Sequence, residues 1–443
     1  VKAIKSFFLS ERFFVLMIFT ILLYILSYFV PELLLISNIF LLGVAFLLLS
    51  DTIVLFTNRK GIYAYRNTPS RLSNGDENEI KIFLENRYPY TINCEIIDEI
   101  PFEFQKRDLI FNVSIEPREE KLFSYQLRPV KRGEYNFGKT NIYAASPIGF
   151  VKRRFIFEGE KIVPVYPSYI QMKKYEMMAI SDRLTEAGIK RIRRIGHSME
   201  FEHIKEYVRG DDYRTINWKA TARKANLMVN HFEDEKSQQI YSIIDIGRVM
   251  KMPFYGMSLL DYAINSSLVI SSIAMHKYDK AGVVTFSNKV SNLLPADRQA
   301  RQMQKIQEVL YNQKTDFLES DFEILTSTIL QKVNHRSLIL LYTNFETVNS
   351  LRRQLVYLRR LARTHLVIII FFINTELFEL INKPAKNTVE IYHKTIAEKF
   401  AFEKRLIVKE LARYSIQSIL TTPQNLSVNT INKYLELKAR GLI

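Results

Sequence analysis

The stretch from Glu200 to Arg223, EFEHIKEYVRGDDYRTINWKATAR, gathers the side chains best suited to chemistry. Two adjacent carboxylates, Asp211 and Asp212, lie between Arg209 and Arg214, and Gly210 breaks the run just before them. Close carboxylates shift each other's pKa and supply the acid and base of many hydrolytic sites. Here the flanking guanidiniums are near enough in sequence to neutralise both, so a salt-bridged structural lattice is the stronger reading. Tyr207, Ile216 and Trp218, the only tryptophan, are interleaved with the charges. A solvated charge run has no need of them, so Trp218 is expected to be a packed anchor, with Arg223 closing the motif. His197 and His203 have no metal-ligand spacing with other candidates. No CxxC, HExxH, P-loop, GxGxxG or GxSxG pattern occurs.

The elements that must position this motif follow from composition and periodicity. The chain has 443 residues, enough for two or three domains, and 47% of them are hydrophobic. Its formal charge of +16 admits nucleic acid or an anionic membrane surface as partners. The excess is spread along the chain with no recognised nucleic-acid module, which argues against nucleic acid. Lys190, Arg191, Arg193 and Arg194 form a local basic cluster able to touch anionic lipid or to pair with Glu200 and Glu202. Cys94 is the only cysteine, so no disulfide forms within one chain, in keeping with a reducing compartment.

Phe13–Phe29 and Leu33–Ser50 are apolar runs, each about the 20 residues needed to cross a bilayer as a helix. Lys2, Lys5 and Arg12 precede the first, Arg59, Lys60 and Arg66 follow the second, and the connecting loop carries only Glu32. The positive-inside rule puts both flanks in the cytoplasm, and with them everything after about Phe56. This predicts a two-pass inner-membrane protein with both termini cytoplasmic, a side that rules against adhesion through Arg209-Gly210-Asp211. Asp51, near the inner end, is expected to reach headgroup water.

From Gly61 to about Pro164 the period becomes two, in Glu79–Glu85, Ile92–Ile96 and Lys121–Leu127, with turn residues between the runs. That predicts an antiparallel β-sandwich-like module with no catalytic cluster. The C-terminal part alternates apolar strands (Gln239–Ile244, Ala281–Phe286, Ser337–Tyr342, His365–Phe372, Ile416–Leu420) with helical segments, the last beginning near Asn429. One helix is expected over Arg298–Tyr311 and another over Ile396–Tyr414. This is the pattern of a doubly wound, mainly parallel α/β sheet. The expected domains are 1–57 (two transmembrane helices), 58–166 (β-sandwich-like), 167–238 (basic connector and motif) and 239–443 (α/β).

The run EYVRGDDYRTINWKATAR, followed by a strand ending at Asp245, resembles the "domain of unknown function 58" family. Asn74-Gly75-Asp76-Glu77, Arg132-Gly133-Glu134-Tyr135 and Ser146-Pro147-Ile148-Gly149 look like further family features. The resemblance implies a membrane hairpin, a β region and a C-terminal von Willebrand factor type A-like domain. It also implies association with MoxR-type AAA+ ATPases of bacteria. Type A domains often hold Mg²⁺ through an Asp-x-Ser-x-Ser loop, a threonine and a second aspartate. Here Asp245 is present, Gly247 and Val249 replace the serines, Thr315 is placed as the threonine, and Asn344 replaces the second aspartate. A hard cation gains little from Gly and Val, so no cofactor is expected.

Two functions from different classes follow. The first is a non-enzymatic, membrane-anchored cytoplasmic scaffold or adaptor that binds protein partners, with a MoxR-type ATPase among them. The second is a membrane-anchored hydrolase using Asp211 and Asp212. The lack of a recognised nucleophile, metal set or phosphate loop favours the first.

Overall fold

Two long apolar helices, Glu11–Phe29 and Leu33–Thr57, lead the chain in the computed structural model. The structure describes residues 6–106, 109–180, 188–189, 199–208, 211–234, 237–315, 317–385 and 387–443. The basic cluster at 190–194, His197, Arg209 and Gly210 lie outside the described residues. Both helices are long and apolar enough to cross a membrane. They pack on each other through the Phe19 and Phe40 rings, 5.4 Å apart, and a Tyr24–Asn38 hydrogen bond of 2.7 Å. Many of their other apolar side chains, among them Val15, Ile18, Leu35 and Phe46, are exposed.

The chain divides into two units, residues 1–166 and 167–443. In the first, the helices lead into a β-sandwich-like region. One five-stranded sheet has the order Phe7–Leu9, Val151–Phe157, Thr140–Ala145, Ile92–Asp98, Ile110–Ile115. A second sheet joins Ile62–Asn67, Asn78–Asn86 and Glu120–Leu127, and a third joins Leu72–Ser73, Lys161–Tyr166 and Gly133–Phe137. Strands bury alternate residues, as a half-covered sheet must. Along Asn78–Asn86 the buried set is Asn78, Ile80, Ile82, Leu84 and Asn86. A buried ion pair joins Arg66 to Asp98, which also accepts from the Tyr125 and Thr140 hydroxyls, so the buried charge is fully partnered.

Asp51 behaves differently from expectation. It is fully buried, and its Oδ2 accepts from the Ser146 hydroxyl and from the backbone N–H groups of Phe150 and Val151 at 3.0 and 3.1 Å. The Arg153 guanidinium donates to the Leu55 and Asn58 carbonyls that end the second helix. The helix is therefore pinned to the sheet by the Ser146–Gly149 turn and the strand after it.

The second unit is built on a six-stranded sheet. We number its strands β1 (Gln239–Asp245), β2 (Lys280–Phe286), β3 (Val290–Asp297), β4 (Leu338–Tyr342), β5 (Leu366–Phe372) and β6 (Gln417–Thr421). The order is β3-β2-β1-β4-β5-β6, parallel except for β3, which runs antiparallel to β2. Val290–Asp297 was not anticipated as a strand, and the helix after it begins at Gln302 instead of Arg298. Alternate residues of β1 face opposite cores. Ile240 and Ile244 pack beneath helices Leu259–His276, Gln302–Tyr311 and Leu426–Ala439. Tyr241 and Ile243 pack beneath Phe322–Lys332, Val348–Thr364 and Thr388–Arg413. Helix Tyr169–Ile180, from the expected connector, adds Met172, Tyr175 and Ala179 to the first of these cores. The strand order reverses at β1/β4, where the carboxyl ends of strands form a crevice.

Candidate functional site

The family motif forms a lobe on a β-hairpin. Strands Met199–Glu206 and Met228–Asp234 pair antiparallel, with His203 opposite His231 and Glu206 opposite Met228. Residues 207–208 and 211–227 leave the hairpin tip and fold back on it. The Tyr207 N–H donates to Leu227 O, and Asn217 N–H to Met228 O, both at 2.8 Å. Asn217 caps helix Trp218–Lys224 by accepting from Ala220 N–H, and its amide donates to Asn230 at 2.8 Å. Ala225 ends that helix in the left-handed region at φ 57°.

Asp211 pairs with the Lys205 ammonium at 2.9 Å and accepts from the Val208 N–H at 3.0 Å. Asp212 accepts from the Arg214 backbone N–H at 3.0 Å, capping the turn Tyr213–Thr215. The Arg214 guanidinium lies over the Tyr213 ring, 5.7 Å from its centroid. The two carboxylates thus shape backbone turns. The expected packing of Trp218 is not found. Trp218 is 70% and Tyr213 69% exposed, beside exposed Arg214, Lys219, Arg223 and Lys224. The lobe is closed by backbone and amide hydrogen bonds, with Met228 and Val229 as its buried residues, so the tryptophan is left outward.

A second constellation lies at the reversal of strand order. Asp245, fully buried at the end of β1, accepts three hydrogen bonds: from Gly247 N–H at 2.8 Å, Ser320 Oγ at 2.5 Å and Thr343 Oγ1 at 2.7 Å. Burial pushes its carboxyl pKa up, and the three donors oppose that. Thr315 is not the hydroxyl that reaches Asp245; Ser320 takes that place. Val249 packs against the apolar core. Asn344 Oδ1 accepts from the Lys404 ammonium at 2.6 Å, which also donates to Phe345 O at 2.6 Å. Burial lowers the Lys404 pKa to about 8, with Glu346 opposing.

This set does not fit an Mg²⁺ ion. Octahedral Mg²⁺ wants several free oxygens, whereas the Asp245 oxygens are taken by protein donors and Asn344 by an ammonium. A Cβ at 247 would overlap Ser320 Oγ and come within 3.0 Å of both Asp245 Oδ1 and Leu318 O, so a serine side chain has no room there. Lys205, Ser320, Thr343 and Lys404 were missed in the sequence. Lys205 lay within the charged motif and Thr343 beside Asn344, whereas Ser320 and Lys404 carried no local signal.

Residues 203–404 match the family model described as protein of unknown function DUF58. Residues 203–404 are thus a DUF58 region. The match spans the lobe, the Asp245 constellation and Lys404. The chain is also similar to the uncharacterized protein YeaD of Bacillus subtilis (strain 168), 25% identical over 211 residues. That alignment takes in 45% of this chain and 51% of YeaD, so the chain spans about half the length of this curated relative. Among solved structures, the CARDB domain of the PF1109 protein from Pyrococcus furiosus, in complex with di-metal ions, matches at 14% identity and a TM-score of 0.17. It covers 24% of this chain and 86% of that one. The ASH/PapD-like domain of human CEP192 matches at 14% identity and a TM-score of 0.17, over 23% and 86% of the two chains. At such scores neither likeness carries a functional argument.

Proposed function

We propose that this DUF58-containing protein is a membrane-anchored cytoplasmic adaptor whose motif lobe docks a protein partner. The observation that carries the reading is the outward display of Trp218 and Tyr213 on a lobe fixed by its own hydrogen bonds. Trp, Tyr and Arg are the residues that most often dominate protein–protein binding energy. Two aromatic side chains left about 70% exposed keep apolar surface in water unless a partner covers it.

The membrane reading is supported by the helices Glu11–Phe29 and Leu33–Thr57, whose outward apolar side chains need a non-aqueous surrounding. The type A-like reading of the second unit is supported by its strand order and by Asp245 at the end of β1. With the Asp245 oxygens and Asn344 engaged by protein donors, docking falls to the lobe. The hydrolase reading gains no support from Asp211 and Asp212, whose oxygens cap turns. A MoxR-type ATPase is the partner to test first. Full-length protein in nanodiscs should retain a MoxR-type ATPase from the same organism, trapped with ATP by a hydrolysis-blocking mutation. No retention under those conditions would remove this partner from the proposal.

A further inference from the structure

A cavity of about 840 Å³ opens beyond the carboxyl ends of β4, β5 and β6, bounded by helices Thr375–Asn382 and Thr388–Arg413. Its volume lies within the roughly 300–1,000 Å³ of small-molecule sites, and it lies on the carboxyl side of the sheet, the side on which open α/β sheets bind ligands. The wall is mainly apolar, including Phe254, Phe372, Leu377, Ile381, Phe402 and Leu420. The Lys404 side chain lines it. That ammonium has three N–H donors, and its two hydrogen bonds go to neutral oxygens, Asn344 Oδ1 and Phe345 O. Among the described residues no carboxylate lies within ion-pair distance of it. A cation so placed is costly without a paired counter-charge: the Phe371 ring lies 5.7 Å away, and Glu346, beyond ion-pair distance, only partly offsets the burial that lowers its pKa.

We propose that this cavity binds a single-chain amphiphile bearing one carboxylate, its head paired with the Lys404 ammonium and its chain along the apolar wall. A hydrocarbon chain needs no polar partner, whereas a peptide brings an N–H and a C=O per residue. The cavity offers little for those: Asn344 is held by Lys404, and Asn374 caps helix Thr375–Asn382. Glu346 and Glu398, exposed at the lining, disfavour a doubly charged phosphate head. This inference is independent of the docking role of the lobe.

The test is photo-crosslinking of full-length protein in nanodiscs with palmitic acid carrying a diazirine near its chain end. Crosslinked peptides are mapped by mass spectrometry. Adducts are expected on 375–382 and 398–405, competed by excess palmitate and not by hexadecanol. Lys404→Met and Ala401→Trp, the second filling the cavity from its lining, should each lower those adducts about tenfold, the loss of roughly one good contact. Should Lys404→Met fail to fold by circular dichroism, Ala401→Trp alone decides. The proposal is overturned by adducts confined to the helices at 11–57, by equal competition from hexadecanol, by stronger competition from hexadecyl phosphate, or by no change in a folded Ala401→Trp protein.

Discussion

Replacing Gly247 tests whether the Asp245 constellation is a closed protein network. Gly247 has ordinary backbone angles, φ −70° and ψ 176°, so Gly247→Ala carries no backbone strain. Such a change lowers unfolded-chain entropy and by itself stabilises by about 0.4–1 kcal/mol. The new methyl, however, overlaps Ser320 Oγ. Overpacking costs about 1–3 kcal/mol. If Ser320 turns away, it gives up a hydrogen bond to Asp245, worth about 1.5–3 kcal/mol if that carboxyl is charged. The net expectation for Gly247→Ala is a loss of about 1–2 kcal/mol. Ser320→Ala should lose about 1.5–3 kcal/mol through the same missing bond. The double variant should be little worse than Ser320→Ala alone, because the overlapping oxygen is gone. Urea unfolding of the 167–443 unit, which holds its own cores, gives the cycle. Coupling of about 1–2 kcal/mol is expected, and additivity within about 0.5 kcal/mol would refute the reasoning.

Two further outcomes follow from buried groups. His365 is buried with neither ring nitrogen hydrogen-bonded, and burial lowers its pKa. Its unfolded form therefore binds the proton first, so stability falls as pH drops through about 6.5 and levels off below the folded pKa. His365→Leu should lessen the difference in urea midpoint between pH 7 and pH 5; an unchanged difference would contradict this. Asp51→Ala should leave the Phe150 and Val151 N–H groups unpartnered, at about 1–3 kcal/mol each. Hydrogen exchange across 146–157 should accelerate accordingly, with Asp51→Asn intermediate, whereas exchange as slow as in the wild type would show that the pin is not needed.

The sheet of the second unit was legible because β1, β4 and β5 are continuous apolar runs, which only a strand covered on both faces requires. β3 was not legible: its sequence VSNLLPAD is half-buried, contains Pro295 and pairs on one side only, as an edge strand does. Helix Thr375–Asn382 was missed because its apolar residues line a cavity and solvent in place of a packed core, leaving none of them buried. Trp218 was misjudged because interleaved aromatics usually signal packing, and a lobe closed by amide and backbone bonds leaves no such pattern in the sequence. Ser320 reaches Asp245 from a distant segment, a contact that only the tertiary structure reveals. Its counterpart was visible at Gly247, where the absence of a side chain makes room for that hydroxyl.

The docking role of the lobe is tested most directly by the affinity of an ATP-trapped MoxR-type ATPase for full-length protein with Trp218 and Tyr213 both changed to alanine. Both side chains are exposed, so the melting temperature should stay near that of the wild type. The account predicts binding weakened at least about tenfold, or roughly 1.4 kcal/mol, with that stability intact. Wild-type affinity in the folded double variant would contradict it.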